Sequence, residues 1–85
     1  MTYEAIRKLA TEFYNLDPRN EVACEVINMV DCARVNADDT CFVEKSRPDT
    51  EYHQIAMDSL EMQLAYASEN QTAAVAWFVS QGVKF

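Results

Sequence analysis

The chain has 85 residues, 49% of them hydrophobic, and its 14 acidic against 7 basic side chains leave a formal net charge of −7. One Gly and two Pro are too little turn chemistry for an all-β fold, and the charge disfavours both nucleic-acid phosphate and an anionic membrane surface as direct partners. No apolar run approaches the roughly 18 residues of a membrane span, and the start MTYEAIRKLA lacks a signal-peptide core. The expectation is a single all-α domain over residues 1–85, cytoplasmic, with no membrane contact. Cys24, Cys32 and Cys41 are an odd, irregularly spaced set. They read as reduced thiols that pack as small hydrophobes, not as a disulfide framework.

Residues 2–16 place Tyr3, Ile6, Leu9 or Ala10, Phe13 and Leu16 at spacings of three and four, one stripe of an amphipathic helix with Thr2 as N-cap. Asp17-Pro18 ends that helix and predicts the start of the next, with Asp17 capping and Pro18 in the first turn. The second helix is expected over 18–35, turning Val22, Val26, Met29, Val30 and Ala33 to the core, with Ala23 and Ile27 beside them. Arg34 then falls near its negative C-terminal end. Residues 36–49, NADDTCFVEKSRPD, break the pattern and read as an irregular connection in which Cys41-Phe42-Val43 forms a short apolar turn.

Thr50–Gln81 is the longest helix-forming stretch, with Asp49 or Thr50 as cap. Its angular pattern continues past residue 68, as one helix would require, yet Ser68-x-x-Gln71 is a capping box. A break there lets the last segment fold back. The expected architecture is thus a compact bundle of three to four helices, about 2–16, 18–35, 50–67 and 70–81. Gly82 fits the residue after a helix end, with Val83 free to make the apolar contact that follows such a cap.

A search for catalytic chemistry returns little. His53 is the one histidine, and it falls on the apolar side near Leu60 and Leu64. The gaps from Cys24 to Cys32, Cys41 and His53 lack the close pairing of zinc ligands. A single glycine cannot build a phosphate-cradling loop. No metal, cofactor or catalytic residue is assigned, and an enzyme using His53 with a cysteine ranks third among the functional readings.

Two faces of the long segment remain. Glu51, Asp58 and Glu61, extended by Glu69, form an acidic face that a solvated helix surface alone would explain. Ile55, Met62, Tyr66, Ala73 and Trp77 lie in a narrow angular band beside the core stripe, packing either on a neighbouring helix or on a partner. The first functional expectation is a small acidic, non-enzymatic module that binds and inhibits or modulates a protein with a basic surface. Its contacts would be Glu51, Asp58, Glu61, Ile55, Met62, Tyr66 and Trp77. In size, acidity and lack of a catalytic motif such a module resembles small accessory proteins of phages and mobile elements. Mimicry of nucleic-acid phosphate is its sharper form, with Glu21, Glu25, Asp31, Asp38, Asp39 and Glu44 completing the charge array. The alternative is a self-associating structural module, a homodimer through the Ile55–Trp77 band.

Overall fold

The computed structural model describes residues 2–43 and 49–83, with the side chains at 41–43, 49, 50 and 70 outside that description. It is an all-α bundle of four helices: α1 (Tyr3–Leu16), α2 (Glu21–Val43), α3 (Asp49–Ala65) and, after a 3₁₀ turn at Glu69–Gln71, α4 (Thr72–Ser80). α2 is the strut. It packs against α1, α3 and α4, and its 23 residues span about 35 Å at 1.5 Å per residue. That length sets the long axis of the molecule, which measures 38 × 25 × 21 Å.

The helix starts follow local chemistry. The Thr2 hydroxyl accepts from the Ala5 N–H at 3.3 Å, as an N-cap should. The second helix departs from expectation. Asp17 closes α1, its carboxylate taking the Arg19 N–H, and Pro18 lies in the turn before α2. Asn20 is the cap, its side-chain oxygen accepting from Val22 (2.9 Å) and Ala23 (3.3 Å). An Asn immediately before the first helical residue outcompetes a Pro three positions upstream, because it satisfies two N–H groups that have no partner within the helix.

The larger correction concerns residues 36–49. Among the described residues the expected irregular stretch does not begin after Val35: α2 continues to Val43, so 36–43 are helical and Cys41-Phe42-Val43 is its last turn. Residues 44–48, including Glu44, lie outside the described residues. The polar run NADDT reads as loop because it lacks apolar periodicity, yet Ala37 is fully buried and keeps the stripe going one turn further. The remaining side chains bond locally or across to α3. Thr40 donates to the Asn36 carbonyl (2.9 Å), Arg34 pairs with Asp38 (3.6 Å), and Asn36 donates to Ser59 on α3 (2.8 Å). Arg34 is consequently mid-helix, and its partner is a carboxylate one turn on.

The core is built from Tyr3, Ile6 and Ala10 of α1, Val26, Met29, Val30, Ala33 and Ala37 of α2, Ala56 and Leu60 of α3, and Ala74, Phe78 and Val83 at the C-terminal end. Ala23 is also buried, whereas Val22 and Ile27 are half-buried. Leu16, expected on the α1 stripe, is 85% exposed because the helix ends there, beyond the reach of its neighbours. The 3₁₀ turn confirms the break: the Gln71 carboxamide oxygen accepts from the Ser68 N–H (3.0 Å) and hydroxyl (3.3 Å). α4 ends in a Schellman cap. Gly82 sits at φ 77°, its N–H bonds the Val79 carbonyl (3.0 Å), and the Val83 N–H bonds that of Phe78 (3.3 Å) while the Val83 side chain joins the core.

Polar ties fix the helices against each other. With its amide oriented to suit both neighbours, Gln63 of α3 donates to the Met29 carbonyl (3.3 Å) and accepts from the Ala33 N–H (3.1 Å) of α2. The Tyr3 hydroxyl, on a ring only 1% exposed, donates to the Val30 carbonyl at 2.7 Å. Burial, reinforced by the neighbouring Tyr52 hydroxyl, holds the Tyr3 phenol well above the ordinary tyrosine range. The folded state therefore favours the neutral phenol. Its contribution to stability is fully present below about pH 10, the unfolded value, and is lost as the pH rises beyond it toward the folded value. Tyr3→Phe should cost about 1 kcal/mol at neutral pH, or about 4–8 °C in Tm for a chain of this size. Urea melts at about pH 9 and 11 should show stability falling more steeply in the wild type than in Tyr3→Phe; equal slopes would contradict a buried, hydrogen-bonded phenol.

Candidate functional site

The break after α3 decides where the expected apolar band goes. A straight helix would keep Ile55, Met62, Tyr66, Ala73 and Trp77 on one side, but the chain leaves helical geometry between Ala65 and Glu69 and restarts in a new direction. The band divides. Trp77 is half-buried and stacks on Phe13 of α1, ring centroids 5.1 Å apart and planes 13° from parallel, while its edge meets Phe78 at 5.2 Å. Ile55 is half-buried against the core. Met62 and Tyr66 turn outward, 62% and 83% exposed, and Ala73 is exposed on α4. Trp77 and Ile55 thus serve the packing of this chain, and the outward part of the band is Met62 and Tyr66.

These two lie beside the acidic face. Around the axis of α3, at 100° per residue, Gln54, Asp58, Met62 and Tyr66 form one row of i, i+4 neighbours, flanked by Glu61 and Ala65. All six are exposed. Gln54 donates to the Asp58 carboxylate at 2.8 Å, aligning that side chain along the row. Glu51 is exposed one turn earlier and Glu69 just after the helix. α3 carries four acids and no Lys or Arg, and no cationic residue occurs anywhere between residues 49 and 83.

Of the other acids expected to complete a charge array, Asp38, Glu21 and Glu25 have an arginine near them. Asp38 pairs with Arg34 and receives a hydrogen bond from Tyr52, whose own hydroxyl is held above its usual range first by burial and then by that bond. Glu21 and Glu25 line an open groove of about 600 Å³ between the start of α2 and the start of α4, with Arg19, Cys24 and Ala74. Asp31 is half-buried and Asp39 exposed. On α3, by contrast, Asp58 and Glu61 are exposed on a helix whose own sequence has no Lys or Arg.

His53 is half-buried between helices. Its Nδ1 lies against the Glu4 carboxylate of α1 and its ring meets Tyr52 edge-on, centroids 5.9 Å apart. It ties α1 to α3. Contrary to the expectation of thiols packed as small hydrophobes, Cys24 and Cys32 are exposed on α2, their thiols directed toward the Pro18 carbonyl (3.3 Å) and the Asn28 side-chain oxygen (3.9 Å); the Cys41 side chain lies outside the described residues. Among the described residues no group of three or more His, Cys, Asp and Glu side chains is placed to hold a metal ion. Nor is any described helix long and apolar enough to cross a membrane.

The division of the band has a measurable consequence. Truncating exposed side chains away from buried features changes stability by about 0.5 kcal/mol or less, so Met62→Ala and Tyr66→Ala should melt like the wild type. Trp77→Ala removes a stacked ring between α1 and α4 and should cost about 2–3 kcal/mol, below the range for fully buried aromatics. Urea denaturation of the three variants separates these outcomes; a neutral Trp77→Ala would mean that the ring is not part of the packing.

No protein-family model, no curated protein and no solved structure matches this chain.

Proposed function

We propose that this chain is a non-enzymatic interaction module that binds another protein through an acidic helical surface and so inhibits or modulates it. One observation carries this reading. α3 turns outward a row in which large apolar side chains, Met62 and Tyr66, adjoin the carboxylates of Asp58 and Glu61, on a helix with no cationic residue. Burying exposed Met and Tyr supplies contact energy at an interface, and a one-signed field steers a partner of opposite charge and sets its orientation. The partner is accordingly a protein with a basic surface.

Self-association through the same face is less well supported, because two copies related by a twofold axis would bring the same carboxylates together. Phosphate mimicry over the whole molecule also loses support. Arg19 in the turn before α2 and Arg34 on α2 interrupt the negative charge there, and Asp38 already has a cationic neighbour. What remains is a local acidic and apolar face.

Affinity capture from a native lysate, with wild type beside Asp58→Lys/Glu61→Lys, tests the reading. The expected result is a basic protein retained by the wild type, released as salt rises from about 0.05 to about 0.5 M as screening shortens the reach of the field, and absent from the charge-reversed variant. Retention that ignores both salt and the reversal would refute an electrostatic face, and so would the absence of any specifically retained protein.

A further inference from the structure

The shape of the α3 face narrows the kind of partner element it can take. A helix surface offers no unpaired backbone edge, since its N–H and C=O groups are used internally, so an extended strand gains nothing there beyond side-chain contacts. A second helix does gain. The Gln54–Asp58–Met62–Tyr66 row is an i, i+4 ridge, and the small Ala65 beside Met62 and Tyr66 leaves a dip next to it, which is the relief that ridges-into-grooves packing uses. Charge then selects the helix. Asp58 precedes Met62 and Tyr66 along the ridge, Glu61 flanks it beside Met62, and α3 has no Lys or Arg to repel a cation.

Resting on the protein-binding reading above, we propose that the outward face of α3 from Gln54 to Tyr66 is the docking surface for one cationic amphipathic helix of a partner protein. The apolar stripe of that helix covers Met62, Ala65 and Tyr66, and its Lys or Arg side chains face Asp58 and Glu61. Residues 54–66, the last of them just past the end of α3, measure about 20 Å along the axis at about 1.5 Å per residue, so three to four turns of partner helix cover the face. Among the described residues the other large apolar side chains that are exposed, Leu16 at the end of α1, Val35 on α2 and Val79 on α4, belong to other elements and take no part.

The test uses the full chain and a defined probe: a 15-residue amidated peptide of Leu and Lys patterned as an amphipathic helix, with an oligolysine of the same length as control. Calorimetric titration should show the amphipathic peptide binding and the oligolysine binding much more weakly. Amide chemical-shift changes should gather on the outward positions of residues 54–69. Met62→Ala/Tyr66→Ala should weaken binding by about tenfold or more, as loss of central anchors does. Asp58→Asn/Glu61→Gln should weaken it and flatten its salt dependence, and Val79→Ala should leave it unchanged. All of these positions are exposed, and thermal melts confirm that each variant is folded.

Equal affinity for oligolysine would overturn the docking surface, and so would shifts that gather at Glu21 and Glu25 or on α4. The same holds for insensitivity to Met62→Ala/Tyr66→Ala, or for a free protein that is a dimer dissociated by those substitutions. Binding at another surface would leave the broader reading standing. Failure of both probes to bind at millimolar concentration would remove the two together.

Discussion

The packing of one buried stripe on α2 governs the molecule. Ala23, Val26, Met29, Val30, Ala33 and Ala37 run along nearly the whole helix with at most 1% exposure, and α1, α3 and α4 all lie against that strut. The stripe mixes alanines with larger side chains. Ala33 and Ala37 let α3 come close enough for the Gln63 side chain to reach the Met29 carbonyl and Ala33 N–H, and for Asn36 to reach Ser59. Tyr3 closes the other side through its bond to the Val30 carbonyl. A core of this size stabilises a small chain by only a few kcal/mol, so each of these contacts matters.

From that constraint follows the placement of everything outward. α3 must give one face to α2, and its opposite side is left to solvent with Asp58, Glu61, Met62 and Tyr66. To place a further element against α2, the chain has to break after α3, and the Ser68–Gln71 turn does this with two hydrogen bonds to a single carboxamide oxygen. The new direction of α4 carries Phe78 into the core and Trp77 onto Phe13. The same break therefore removes the best aromatic anchor from the surface and leaves Tyr66, just past the end of α3, as the most exposed of the described aromatic rings. Packing and the candidate recognition face are two outcomes of one chain reversal.

Much of this was legible in the residues and some was not. The stripe Tyr3, Ile6, Ala10, the capping box at Ser68 and the glycine cap at Gly82 follow from local rules, because each depends on side chains within a few positions. The start of α2 is not legible locally, because Asp17 and Asn20 are both good caps and only the realised geometry separates them. Its end is not legible either, because Asn36, Asp38, Asp39 and Thr40 are poor helix formers in isolation. They stay helical because Ala37 is buried and Asn36 and Asp38 find partners on α3, which are tertiary effects invisible to a propensity argument. The acidic face needed only periodicity. Dividing the apolar band needed the direction of α4, which depends on the whole bundle.

His53 shows the same distinction for chemistry. A lone histidine invites a catalytic reading from its type alone, whereas its position between helices, beside Glu4 of α1 and Tyr52 of α3, depends on the fold. Trp77 is the residue on which the account turns, and it is the chain's single tryptophan, so its fluorescence reports on one ring. If the break packs Trp77 against Phe13, native emission should be blue-shifted from that of free tryptophan and weakly quenched by iodide, and both differences should vanish on unfolding in urea. Emission and quenching of the native protein that match free tryptophan would contradict the account, since Trp77 would then share the outward surface with Met62 and Tyr66.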